Sequence, residues 1–193
     1  MFKEQTQTNL MEIEVKVRLK DLESVKKKLV EKGAVFGKAL VQEDIYFKPR
    51  GLDPNRVQGP GEFIIRIRRA GGKSMLTLKE LTEILGAWKE HETSISDPTE
   101  MENILKSAGF INVFTLNKTR LLGKLGDFEI CIDDVKELGR FMEVGLISEE
   151  KEETRNRIIA FIKELGFEEK DMEKRGYGEI MGEKLGEKFD GMR

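Results

Sequence analysis

The chain has 193 residues, 38% of them hydrophobic, with 34 Lys and Arg against 36 Asp and Glu for a formal net charge of −2. That length suits one domain able to bury a sizeable core. The near-balance of charge argues against a polycationic nucleic-acid or membrane-surface binder. Charged residues make up 36% of the chain, well above the usual quarter, so many charges of both signs must be accommodated. A lone cysteine, Cys131, cannot form an internal disulfide, which points to a reducing, cytoplasmic setting. No apolar run approaches the ~18 residues that a bilayer span needs. Residues 1–10 are polar, lack the apolar core of a signal peptide and read as a flexible leader, with Met11 as a second candidate start.

From Glu12 the chain alternates strictly, placing Ile13, Val15, Val17 and Leu19 on one face of a strand and Glu12, Glu14, Lys16 and Arg18 on the other. Asp21 offers the N-cap of a helix with Leu22, Val25 and Leu29 at helical spacing and Gly33 as its stop. A short strand is expected around Gln42–Phe47, and Lys48–Gly61, rich in proline and glycine, is the longest loop candidate. Phe63–Arg69 and Met75–Lys79 read as a hairpin through Ala70–Ser74, followed by a strand over Trp88–Ser96. Asp97-Pro98 opens a helix whose stripe is Met101, Ile104, Leu105 and Ala108 and whose stop is Gly109. Strands are expected at Asn117–Leu122 and Phe128–Asp133, joined through Gly123–Asp127, and at Arg140–Ile147. A third helix runs from about Glu149 to Leu165, burying Ile158, Ile159 and Ile162, and Gly166 ends it. Tyr177–Met181 is expected to close the sheet, giving one domain over 11–181 and a loose tail over 182–193.

The informative residues are those on the polar strand faces: Glu12, Glu14, Lys16 and Arg18; Arg66 and Arg68; Lys79; Glu90 and Glu92; Lys118 and Arg120; Glu129 and Asp133; Glu143. One reading is an antiparallel sheet with a solvated face. Two features pull against it. The charges come as like-signed pairs at i, i+2, and three amphipathic helices need apolar sheet surface to cover, which turns the charged faces to the other side. If the sheet curls into a barrel, those faces point inward, where charges must neutralise one another or a ligand. Six cations (Lys16, Arg66, Arg68, Lys79, Lys118, Arg120) oppose six carboxylates (Glu12, Glu14, Glu90, Glu92, Asp133, Glu143). A triphosphate at roughly −4 with two divalent ions keeps that balance. Arg and Lys suit phosphate oxygens, and carboxylates are hard ligands for magnesium or manganese.

With Glu12-Ile13-Glu14-Val15-Lys16 in view, the sequence resembles the CYTH family, the triphosphate tunnel metalloenzymes. Further matching motifs are Ile65-Arg66-Ile67-Arg68, Leu76-Thr77-Leu78-Lys79, Lys118-Thr119-Arg120, and Ile132-Asp133-Asp134-Val135 with Leu138-Gly139-Arg140-Phe141-Met142-Glu143. The similarity extends from about Met11 to Met181 and is greatest to the class IV adenylate cyclase branch. It implies an α+β fold: an eight-stranded antiparallel β-barrel forming a tunnel, with helices packed on the outside. Carried over, Glu12, Glu14 and Glu143 bind Mg²⁺ or Mn²⁺. Lys16, Arg66, Arg68, Lys79, Lys118 and Arg120 hold the triphosphate. Asp133, Glu90 and Glu92 match acidic positions that bind metal or place the nucleophile, so the catalytic set is Glu12, Glu14, Lys16, Asp133 and Glu143. The late strand departs from the family pattern: Glu143-Val144-Gly145 lacks a second carboxylate, which weakens one metal site or leaves it to Asp133 or water.

The expected reaction is conversion of ATP to cyclic AMP and pyrophosphate. The alternatives are hydrolysis of tripolyphosphate, thiamine triphosphate or a nucleoside triphosphate, and a non-catalytic polyphosphate- or nucleotide-binding module. Such chemistry rests on positioning and charge stabilisation, so it needs no histidine base. The expected partner is a triphosphate rather than a nucleic-acid polymer or membrane, and the family's frequent dimers leave a homodimer open. Other signals carry less. Gly71-Gly72-Lys73-Ser74 resembles the end of a P-loop but has Ile67 in place of the leading glycine and sits in a hairpin turn. His91 alternates away from Glu90 and Glu92, Cys131 reads as a buried thiol, and Lys26-Lys27-Lys28 as the solvated side of the first helix.

Overall fold

The structure, a computed structural model, describes residues 11–52, 57–59, 61–81, 88–149, 151–186 and 188–189. In chain order its elements are β1 (Met11–Leu19), α1 (Leu22–Glu31), β2 (Val35–Phe36), β3 (Leu40–Pro49), β4 (Val57–Gln58), β5 (Phe63–Ala70), β6 (Lys73–Leu81), β7 (Trp88–Ser94) and α2 (Pro98–Ser107). There follow β8 (Phe110–Leu125), β9 (Phe128–Val135), β10 (Gly139–Ser148), α3 (Lys151–Glu164), β11 (Met172–Glu173), α4 (Tyr177–Lys184) and β12 (Lys188–Phe189). Eight of the strands (β1, β3 and β5 to β10) have seven residues or more, and the other four are two-residue pieces. This is the α+β, antiparallel architecture that the alternation and the family resemblance imply. No helix among the described residues is long and apolar enough to cross a membrane.

The chain divides into two compact units. The first comprises the described residues up to Lys38, Leu121–Asp133 and Gly139–Glu173; the second comprises Ala39–Arg120, Asp134–Leu138 and the described residues from Lys174 onward. In the first unit the strand order is β11, β1, β10, β9 and the C-terminal part of β8, with β2 paired to β8. Ile13, Val15, Val17 and Leu19 of β1 pack with Ile130, Ile132, Met142, Val144 and Leu146 beneath Val25 and Leu29 of α1 and Ile158, Phe161 and Ile162 of α3. Each such side chain, fully buried, contributes about 1.5–3 kcal/mol, so the apolar strand faces are fixed against the helices and the charged faces lie on the other side. Asp21 caps α1 by accepting from the Ser24 N–H at 3.1 Å. Lys28 is exposed, as expected of the solvated side of α1, and its ammonium donates to the Leu165 carbonyl at 3.0 Å, satisfying an acceptor at the C-terminus of α3.

In the second unit the order is β8, β3, β5, β6, β7. Ile45, Phe47, Ile67 and Leu105 form its core, with Ile65, Leu76, Ile95, Met101 and Phe110 packed on them. Asp97 caps α2, accepting from the backbone of Thr99 and Glu100. The β5–β6 hairpin closes on two residues, Gly71 and Gly72, rather than on the five expected. Both have positive φ (56° and 76°), the pair of conformations that a tight hairpin turn requires.

Other boundaries also moved. β3 runs on to Pro49, taking Lys48 and Pro49 out of the expected loop; residues 53–56 and 60 of that loop lie outside the described residues. β8 starts directly after Gly109 and continues through Gly123, a residue expected in a connector. Gly123 is a packing glycine: a Cβ there would lie 2.4 Å from Cδ1 of Phe36. Tyr177–Met181 is not a closing strand but the start of α4. Glu179 accepts from the Gly176 N–H at 2.8 Å, and Tyr177, Ile180 and Met181 are buried at helical spacing. The expected loose tail likewise holds the end of α4 and a parallel pairing of β12 with β4.

Candidate functional site

In the first unit the β1–β10 register sets Lys16 across from Glu143 and Glu14 across from Gly145. The Lys16 ammonium lies 3.2 Å from Glu143 Oε1, with both side chains almost buried. Asp133 is fully buried, on the side of β9 opposite to the core residues Ile130 and Ile132. Arg18, next along that face of β1, is held by Glu173 at 2.9 Å and lies over the Phe141 ring, 4.8 Å from its centroid. Glu14, Lys16, Asp133 and Glu143 thus share one unit and one polar face. The Glu12 side chain lies outside the described residues. Among the described residues, no three of His, Cys, Asp and Glu converge as a metal-binding group.

In the second unit the register aligns five strands. One row runs Phe114, Tyr46, Arg66, Thr77, Glu92, and the next Leu116, Asp44, Arg68, Met75, Ser94. Lys118 stands across from Gln42, Arg120 across from Leu40, and Lys79 between Ile64 and Glu90. All five expected phosphate-binding cations of this unit (Arg66, Arg68, Lys79, Lys118, Arg120) therefore lie on one face, away from the core that α2 covers.

Asp44, absent from the expected site, organises this face. It is 2% exposed and accepts from Arg68 Nε and a terminal Arg68 nitrogen, both at 2.7 Å. Burial alone would raise its pKa, but the Arg68 hydrogen bonds and charge, with the charges of Arg66 and Lys118, hold it below 3.8. Burial likewise acts to lower the Arg68 pKa, and Asp44 more than reverses it. The opposite ion that a pair of like-charged residues demands is thus supplied, for Arg66 and Arg68, by the chain itself. The signal that could have found it is the alternation Gln42-Asp44-Tyr46 within the strand expected around Gln42–Phe47.

Arg66 donates to Thr77 Oγ1 at 3.0 Å and to Glu92 Oε2 at 3.3 Å, and the Thr77 hydroxyl donates to the same carboxylate at 2.7 Å. Its buried Nε has no hydrogen-bond partner among the described residues, nor does Oε1 of buried Gln42. The Lys79 ammonium donates to Glu90. Burial first, and then the charge of Arg66, nevertheless keep the Lys79 pKa below 10.5. Glu90 and Glu92, expected among metal ligands or nucleophile-placing residues, are placed against cations. The Tyr46 phenol is pushed up to about 12 by burial and then by the Asp44 charge, so it remains a neutral hydroxyl at physiological pH. Lys118 lies 4.8 Å from the centroid of the Tyr177 ring of α4. His91 is exposed and Cys131 buried, as expected of residues outside the site.

Each unit thus sets a strand face covered by amphipathic helices against a face of ionic side chains, the arrangement of an antiparallel α+β protein. The chain belongs to the CYTH family: the CYTH domain matches residues 10–177. It is 33% identical to a candidate adenylate cyclase of Methanocaldococcus jannaschii over 178 residues, 90% of this chain and 99% of that one. Among solved structures it is similar to a Pyrococcus horikoshii protein, with a TM-score of 0.76 and 30% identity over 88% of this chain and 98% of that one. It also shares the fold of a Hippeastrum candidate adenylyl cyclase whose description gives a dominant triphosphatase activity. That match has a TM-score of 0.64 and 19% identity, covering 95% of this chain and 99% of that one.

Proposed function

We propose that this chain is a metal-dependent enzyme acting on a triphosphate, and that its reaction is that of a class IV adenylate cyclase. The observation that carries the reading is the polar face of the second unit. There five cations share one face with a deeply buried carboxylate, Asp44, that binds Arg68, and buried Arg66 retains a guanidinium N–H without a partner among the described residues. Planar Arg forks and Lys point charges in that density suit phosphate oxygens. Family membership and the candidate cyclase from M. jannaschii support the choice of reaction.

Arg66, Arg68, Lys79, Lys118, Arg120 and Lys16 hold the phosphates. CYTH proteins are in general metal-dependent, and the donors present fit Mg²⁺ or Mn²⁺. Buried Asp133 and Glu143 are hard oxygen ligands, and magnesium is commonly held by one or two carboxylates with water and substrate phosphate completing its shell. Glu12, Glu14, Glu143 and Asp133 are the proposed ligands, Lys16 orienting Glu143. A bound ion neutralises phosphate charge and activates the attacking oxygen. In the cyclase reaction the ribose 3′-hydroxyl attacks the α-phosphorus of ATP, and pyrophosphate leaves with the bridging oxygen. A triphosphatase, with water attacking the γ-phosphorus, is the second reading, favoured by the activity described for the Hippeastrum protein of the same fold.

Product analysis with ATP, thiamine triphosphate and tripolyphosphate, each with Mg²⁺ or Mn²⁺, tests the proposal. Cyclic AMP with pyrophosphate is expected. Orthophosphate with ADP selects the triphosphatase, and tight tripolyphosphate binding without turnover selects a binding module.

A further inference from the structure

The cations of the second unit carry two different kinds of counter-ion. Asp44 is buried at 2% exposure, grips Arg68 through both carboxylate oxygens and lies on β3, a strand paired on both sides. Glu90 and Glu92 have side chains 39% and 43% exposed. They lie on β7, the last strand in that unit's order, whose pairing among the described residues is to β6. Arg66 meets Glu92 at 3.3 Å through one terminal nitrogen, a looser contact than the 2.7 Å pair to Asp44.

Resting on the triphosphate reading above, we infer that Glu90 and Glu92 are exchangeable stand-ins for phosphate, and that Asp44 is a permanent positioning residue for Arg68. Phosphate oxygens take over the donors that Glu92 occupies on Arg66 and Thr77, and the donor that Glu90 occupies on Lys79. The exchange trades a carboxylate already half in water for a more highly charged anion, and water receives the freed carboxylates at small cost. Displacing Asp44 would strand a buried charge, which is far more costly, so the Arg68 fork keeps its orientation throughout. The lowered pKa of Lys79, maintained with Glu90 in contact, agrees with this: the carboxylate does not fully offset burial and then the Arg66 charge.

The test is calorimetric titration of the full chain with tripolyphosphate in the absence of divalent metal. The wild type is compared with Glu90→Gln/Glu92→Gln and with Asp44→Asn. The double variant, altered at exposed positions, is expected to bind tripolyphosphate about two- to thirtyfold more tightly, the combined worth of two part-exposed ion pairs. Asp44→Asn is expected to bind at least tenfold more weakly. Equal or weaker binding by the double variant, with the wild type binding, overturns the exchange and leaves the triphosphate reading standing. A wild type that does not bind tripolyphosphate overturns the triphosphate reading and the exchange with it.

Discussion

The two units solve the same problem, holding charge on a sheet face, in different ways. In the first, Lys16 and Glu143 pair across adjacent strands, Asp133 is buried on the neighbouring β9, and the position across from Glu14 is Gly145. The second masses five cations and neutralises them in part with Asp44, Glu90 and Glu92. Carboxylate-rich and cation-rich faces therefore arise from one device, period-two alternation with like charges at i, i+2. What differs is that the second unit adds shallow counter-ions, Glu90 and Glu92, to a deep one, Asp44. A deep counter-ion fixes geometry, whereas a shallow one leaves charge available to a ligand. Substitutions can break that contrast at either unit.

The largest effect is expected at Asp44. Asp44→Asn leaves Arg68 without its buried partner and should cost about 3 kcal/mol of stability, near the low end for a broken buried pair because Arg68 is part-exposed. Urea denaturation at pH 7 measures this. Because the folded-state pKa of Asp44 lies below 3.8, its contribution is complete above pH 3.8 and is lost as pH falls through the lower, folded value. The gap between wild type and variant should accordingly shrink at the acid end, and a gap constant with pH would show that Asp44 is not the titrating group.

In the first unit, Glu143→Gln should lower metal-supported turnover about 10²–10³-fold, the scale for losing one well-placed electrostatic contributor. Binding of tripolyphosphate without metal should change little. Arg66→Ala should do the reverse. Loss of a charge-assisted donor should raise the tripolyphosphate Kd about ten- to hundredfold with or without metal. Equal loss of metal-free binding in both variants would erase the division of labour between the two faces. Steady-state kinetics and calorimetry on the same preparations decide it.

Much of this was legible where the physical signal is local. Ile13 to Leu19 alternates so strictly that strand, face and helix-covered side all follow, and Asp97-Pro98 starts α2 where a cap and a first-turn proline should. The Arg66/Arg68 and Glu90/Glu92 pairs fall on the face that the parity predicts. Register was not legible, because it depends on which strands meet, and so Asp44 was not seen to lie beside Arg68. α4 was hidden for a similar reason. Gly178 looks like a breaker in isolation, but its helix is held by the burial of Tyr177, Ile180 and Met181, and Gly178 itself lies beside the Tyr46 ring, 3.4 Å from where a Cβ would sit. That tertiary contact cannot be inferred from Tyr177-Gly178-Glu179 alone.

The smallest expected effect, and the one opposite in sign, is at Lys79. Its ammonium is held where burial and Arg66 disfavour it, against the pull of Glu90. A lysine whose folded-state pKa lies below 10.5 destabilises the native state while both states are protonated, and that penalty fades as pH rises through the folded value towards 10.5. Lys79→Met keeps most of the apolar stem and removes the charge. At pH 7 it should match or slightly exceed the wild type in melting temperature, with the difference closing towards pH 10.5, while tripolyphosphate binding falls. A cation kept at a cost in stability and required for binding marks a surface shaped for its ligand. If Lys79→Met instead lowers the melting temperature at pH 7 and leaves binding intact, the Lys79–Glu90 pair belongs to the scaffold, and the contrast between deep and shallow counter-ions fails at that strand.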